Sequence, residues 1–181
     1  WQSVFPNAGD AAHEHGVEWA MHGEVWTTPF DWQVAEGGIL LTANLVRSPF
    51  RFEKLIEVDG ARVRVSETAI NIGNETVEVT WRQHPAFGAP LIGPDTRVQT
   101  NAKTVFADIL YNQFDSIPAP QPWPLWTSPH GVSVNLSELP APRSDHSTMA
   151  FLSEYPDDEQ ALVRIVSPNE GLEVSLGWNA E

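Results

Sequence analysis

Cysteine is missing altogether from this chain, and positive charge is scarce. The first absence excludes disulfides, thiolate nucleophiles and Cys-ligated metal, and leaves the compartment open. Only 10 Lys and Arg stand against 24 Asp and Glu, a formal net charge of −14. A surface of that sign repels phosphate backbones and no basic run interrupts it, so nucleic acid is not an expected partner. An anionic membrane surface is set aside on the same ground. No apolar run approaches the roughly 20 residues of a membrane-spanning helix. No leader peptide is visible, although the sequence opens on Trp1 rather than Met and a preceding segment is therefore expected. With a pI of about 4.6, the cytoplasm is the expected location.

What remains is the composition of a folded protein: 181 residues, 41% of them apolar, with eight Trp. That length suits a single core, and 1–181 reads as one domain. Residues 1–29 hold Pro6, Gly9, Gly16, Gly23 and Pro29 with little periodicity, and read as a long ordered loop with at most one short strand. Three imidazoles (His13, His15, His22) and the carboxylates Asp10, Glu14, Glu18 and Glu24 crowd this loop. From Asp31 the pattern becomes strands, expected at 31–36, 38–46, 51–58, 61–71 and 75–84. Asp59-Gly60 between two alternating runs predicts a hairpin of 51–58 with 61–71. Further strands are expected at 95–100, 103–110, 131–136, 147–154, 161–167 and 172–178. The proline-rich stretch 117–129 reads as an extended, polyproline-like excursion, with Trp123 and Trp126 as its exposed aromatics. No helix longer than two turns is expected. Many short strands with frequent turn signals predict an all-β, antiparallel sandwich or barrel.

The stretch Thr80–Pro90 carries the most chemical information. Alternation over 75–84 places Val77, Val79 and Trp81 on one face and Arg82 and His84 on the other. Pro85 has no N–H for a ladder and ends the strand, which leaves His84 on a rigid element but open to a ligand. The plain alternative is a histidine capping a strand end through its backbone.

His84-Pro85-Ala86-Phe87-Gly88 resembles the His-Pro signature of the galactose mutarotase (aldose 1-epimerase) superfamily, in its uncharacterised bacterial epimerase-like branch. Phe5-Pro6-Asn7-Ala8-Gly9-Asp10 and Met21-His22-Gly23-Glu24, followed by Pro29-Phe30 and Trp32, resemble two further segments of that branch in the same order. The resemblance covers about residues 1–90 closely. It implies the large mutarotase-like β-sandwich, incomplete here, with a sugar held on one sheet's concave face. It also implies an isomerase that interconverts sugar anomers without a cofactor. The partner expected on this basis is a small neutral sugar; the oligomeric state is left open.

Ring opening needs a base on the anomeric hydroxyl and an acid on the ring oxygen, and an imidazole with pKa near 6.5 serves at neutral pH. By resemblance His84 is the general acid, and His22 and Asn7 contact sugar. Glu24 is expected either to orient His22 or to accept a sugar hydroxyl, or else to be a solvated carboxylate. The family's Arg after Asn7 is replaced by Ala8, so a sugar-holding Arg would come from Arg47, Arg51 or, by its place beside His84, Arg82. A cross-strand ion pair is the other reading of Arg82. The family's late catalytic Glu has no match, and neither Glu173 nor Glu181 replaces it by position. The sequence is accordingly read as a piece cut at both ends. The alternative function is a carbohydrate-binding sandwich without catalysis. His13-Glu14-His15 could suggest a metal, but no third ligand is identified, and loop polarity accounts for it better. Clustered cations for a sugar phosphate are lacking.

Overall fold

Short strands, rather than loop, build much of the N-terminal segment. A computed structural model describes residues 2–14, 16–107, 119–128, 131–139, 149–157 and 160–179. It divides into two compact units, Trp1–Ala86 and Phe87–Glu181. The first holds β1 (Gln2–Val4), β2 (Ala12–Glu14), β3 (Val17–Trp19), a 3-10 turn at Val25–Thr27, β4 (Asp31–Ala35), β5 (Gly38–Asn44), β6 (Phe50–Asp59), β7 (Arg62–Asn71) and β8 (Arg82–His84). Strands β4 to β7 form an antiparallel meander in sequence order, while β2 pairs with β3 and β1 with β8. The Asp59-Gly60 signal is realised: Asp59 lies opposite Arg62, and Gly60 takes a φ of +58° in the two-residue turn between them.

One face of the meander is largely apolar because Phe50, Phe52, Ile56 and Val58 alternate along β6, with Lys54 the exception. Phe50 and Phe52 point into a core with Phe5, Val25 and Leu45, and Phe5 meets Phe50 edge-on at 4.9 Å. Trp81 covers this cluster, its ring 5.4 Å from Phe5 and 5.6 Å from Phe52. Each buried Phe contributes on the order of 2–3 kcal/mol of transfer free energy, so this cluster is the main adhesive of the unit.

The expected strand 75–84 is shorter than predicted. Only Arg82–His84 joins a ladder, and residues 76–81 run outside it. The cause is its partner. The register that pairs Val4 with Arg82 would next pair Pro6 with Thr80. The Pro6 carbonyl does accept the Thr80 N–H at 2.7 Å, but proline has no N–H to return, and the ladder stops.

The second unit holds β9 (Arg97–Thr100), β10 (Thr104–Ala107), β11 (Gln121–Pro122), β12 (Leu125–Thr127), β13 (Ser133–Asn135), β14 (Ala150–Ser153), β15 (Ala161–Ser167) and β16 (Leu172–Trp178). Its sheets run β16-β15-β9, β11-β10-β14 and β12-β13. The proline-rich stretch is thus sheet over much of its described part, a correction to the polyproline reading. Two short strands flank the Trp123-Pro124 turn, and Trp126 is 3% exposed rather than on the surface. Alternation in β12 explains it: Leu125 and Thr127 face out, so Trp126 packs against Val105 with Leu136 and Leu152.

Among the described residues every ladder between strands is antiparallel, the 3-10 turn is the sole helical element, and no helix is long and apolar enough to cross a membrane. The chain is all-β. His15 and Glu181 lie outside the described residues, as do parts of the strands expected at 103–110 and 147–154.

Candidate functional site

β1 and the three residues after it join the three sequence segments singled out above. Gln2 lies across from His84 and Val4 from Arg82. Just beyond, the Phe5 carbonyl accepts the N–H groups of Glu24 (2.8 Å) and Val25 (3.2 Å). Segments 5–10, 22–24 and 80–84 are therefore neighbours along one strand. Gly23 makes the middle contact possible. Its φ is +80°, and a Cβ there would lie 2.2 Å from the Phe5 carbonyl oxygen. Glycine alone meets both demands.

Asn7 and His22 stitch the loop ends together around Gly9. The Asn7 amide donates to the carbonyls of Asp10 (3.0 Å) and Ala20 (3.1 Å). The His22 N–H donates to the Gly9 carbonyl (2.9 Å), and His22 Nδ1 accepts the Gly9 N–H at 3.3 Å. That acceptor role assigns the proton of a neutral His22 to Nε2, which can donate to a ligand hydroxyl. His22 holds a φ of +63°, an uncommon conformation for a residue with a Cβ. Asn7 is 8% exposed, and its Oδ1 is buried with no partner among the described residues. It is the acceptor with unused capacity in this loop.

Glu24 neither orients His22 nor stands in solvent. Its Oε1 accepts the N–H groups of Val46 and Arg47 (2.8 Å to the latter), and its Oε2 accepts the Ser48 N–H (3.1 Å) and hydroxyl (3.0 Å). A buried carboxylate with four donors is a clamp on the loop 46–48 that joins β5 to β6. Beside it, Ala20, Gly23, Thr28, Pro29 and Arg47 edge an open groove of about 270 Å³. Arg47, one of the sequence candidates for holding sugar, lines this groove and donates to the Glu18 carbonyl at 3.2 Å. Arg51 instead pairs with Glu53 on its own strand at 2.9 Å.

Arg82 and His84 share the exposed face of β8, on one strand and two residues apart. Neither side chain has a hydrogen bond or ion pair to another described residue. His84 lies across from Gln2 at the start of β1 and Arg82 across from Val4 at its end, while Asn7 follows the bend at Pro6. The structure brings Asn7 and His22 together and leaves His84 and Arg82 as a separate pair.

A polar cluster that the sequence reading missed lies between them, on the inner side of β8. Lys54 Nζ and Glu67 Oε1 form an ion pair at 3.0 Å, with their side chains 8% and 4% exposed. Ser3 Oγ donates to Glu67 and accepts from Lys54 Nζ at 3.0 Å. Glu67 Oε2 accepts the Trp81 indole N–H (3.0 Å) and the Gln83 amide. Residues 81 and 83 flank Arg82 and precede His84, so this carboxylate fixes the orientation of β8. A signal was present: Lys54 interrupts Phe50, Phe52, Ile56 and Val58 on one face, and Glu67 interrupts Val63, Val65 and Ala69 directly opposite. A lone cation facing a lone anion on an apolar face marks a buried pair.

Elsewhere, His13 on β2 faces Glu18 on β3 at 3.7 Å, and among the described residues no group of three metal-ligating side chains occurs. Glu173 is held by the Arg164 guanidinium through Nε (2.9 Å) and Nη2 (2.7 Å). That bidentate bond, with Ser175 adding a further donor, keeps its carboxyl below the usual carboxylate range. Compared with known proteins, the chain matches no protein-family model, no curated protein and no solved structure.

Proposed function

We propose that this chain is a mutarotase-like β-sandwich protein that acts on a neutral sugar as an aldose 1-epimerase-like isomerase, with His84 as its general acid. The observation that carries the proposal is the assembly around β1. The segment around His22-Gly23-Glu24 and the strand that ends on His84 are distant from each other in sequence, yet both hydrogen-bond to a single six-residue stretch, Gln2–Asn7, which holds the start of the third segment. On this reading the His84 imidazolium gives its proton to the ring oxygen while water takes the proton of the anomeric hydroxyl. The C1–C2 bond then rotates, and as the ring recloses on its other face the imidazole takes the proton back from the closing hydroxyl and water returns one to O1. Arg82, on the same face, supplies the donors that hold hydroxyls. A neutral aldose fits a net charge of −14 better than a phosphorylated one. The chemistry calls for no cofactor.

A second reading, carbohydrate binding without turnover, is favoured by a specific observation. No hydrogen bond among the described residues links the His84 side chain to Asn7 or His22, while Glu24 and Glu67 spend their oxygens on internal donors. The sugar contact would then centre on the groove that Gly23 and Arg47 line, next to His22 in the chain. Anomer-exchange NMR on a panel of neutral aldoses separates the two. Faster α/β exchange that disappears in His84→Gln supports the isomerase. Sugar line broadening without exchange, lost in His22→Ala and Arg47→Ala but kept in His84→Gln, supports the binder. No effect of the folded chain on any sugar would contradict both.

A further inference from the structure

The apolar face of the β4–β7 meander continues well past the core that covers it. Residues paired across an antiparallel ladder share a face, so the register draws its rows directly. One row runs Val34, Ile39, Ile56, Val65, and the next pair outward is Val58 with Val63. Trp32 and Leu41 stand on the same face one row inward, in line with Lys54 and Glu67. Phe5, Val25 and Trp81 cover the far end of this face, and the Lys54–Glu67 pair marks where the cover stops. On that line Trp32 is 69% exposed, and beyond it Val34 is 78%, Val58 60% and Val63 61% exposed. The opposite face is unlike it: it carries cross-strand and same-strand ion pairs such as Arg64–Glu57 and Arg51–Glu53.

We infer that this open half-face is a self-association surface, on which a second copy of the chain stacks sheet against sheet. Three observations select that occupant. The face is a direct continuation of one the chain already buries against its own side chains, so its shape and chemistry suit packing rather than solvent. Its exposed half carries no unpaired charge, because Lys54 and Glu67 neutralise each other at its border. A copy can therefore meet it about a two-fold axis without setting like charges together, despite the net charge of −14. Its area is also of the right order: these side chains present about 500 Å² of apolar surface per chain, so a face-to-face pair buries roughly 1,000–1,200 Å² in total, at the low end for a specific interface. A sheet face whose outer row is β-branched (Val34, Ile39, Ile56, Val65) matches another sheet better than a helix or an extended peptide.

Sedimentation velocity over a hundredfold concentration range tests this. The chain is expected to move from monomer to dimer, with a dissociation constant in the micromolar range that suits so small an interface. Val34→Asp and Val63→Asp, both on exposed side chains, should each weaken the dimer at least tenfold while far-UV circular dichroism stays unchanged. The milder Val34→Thr/Val63→Thr pair keeps shape and strand preference, and should weaken it by a smaller factor. Ile70→Lys on the opposite face should leave the dimer intact. A chain that stays monomeric throughout would overturn the inference. So would a dimer that tolerates both aspartates, or one that Ile70→Lys dissociates.

Discussion

Gly23 is doubly constrained, by its backbone conformation and by the carbonyl it faces. Alanine there meets a carbonyl oxygen at 2.2 Å and a φ of +80° together, and β1 cannot shift without dragging β8 and the Phe5 core with it. Gly23→Ala is expected to cost more than about 3 kcal/mol in denaturant unfolding, at the upper end for a single substitution. Glu24→Gln tests the loop clamp. The amide keeps one acceptor oxygen for four donors and puts an NH₂ among N–H groups, so a loss of about 2–3 kcal/mol is expected. A neutral result would show that Glu24 is free for substrate after all. For the buried pair, the two ends should not be equivalent. Lys54→Met leaves Glu67 with donors from Ser3, Trp81 and Gln83, whereas Glu67→Leu strands all of them and the ammonium. Glu67→Leu is expected to cost about 3–5 kcal/mol and Lys54→Met clearly less, as read from urea midpoints.

At the scale of elements, alternation and turn chemistry carried the meander. Trp32 and Val34 on β4, Ile56 and Val58 on β6, and Val63 and Val65 on β7 repeat with period two, and Asp59-Gly60 announces its own hairpin, because both signals are local. The strand expected at 75–84 failed for a reason outside its own residues: its neighbour carries Pro6 where a donor is needed. The proline-rich stretch failed in the opposite sense. Pro122 and Pro124 suggested polyproline, but tertiary pairing with β10 and β13 recruited the residues around them. The candidate site was legible only as motifs. Spacing could place Asn7, His22 and His84 on loops and strand ends, but not show that β1 pairs with the strand that ends on His84, since that depends on a register between residues about eighty positions apart. On β16 a pH prediction follows. Because Arg164 lowers the Glu173 carboxyl, the pair contributes above the ordinary carboxylate pKa and is lost as pH falls through the lowered one. The difference in Tm between the native chain and Glu173→Gln, small because both groups are exposed, should therefore shrink between pH 7 and pH 3; a difference that widens would contradict the assignment.

The whole molecule presents an acidic, all-β chain with two surfaces that its internal packing leaves unexplained: the His84–Arg82 face of β8 and the open half of the meander. The second concerns association and stands or falls on hydrodynamics. The first concerns chemistry, and both functional readings need carbohydrate in contact with the histidines of the motif segments. Imidazole resonances report that contact directly. In ¹⁵N–¹H spectra of the labelled chain, titration with neutral aldoses is expected to shift the His84 ring signals saturably, leaving His13 on the distant β2–β3 hairpin unmoved. Saturable movement of His22 with His84 unmoved would place the sugar in the groove beside Arg47 and favour binding without turnover. If neither ring responds to any aldose at concentrations well above 10 mM, the proposal that this protein handles free sugars is contradicted.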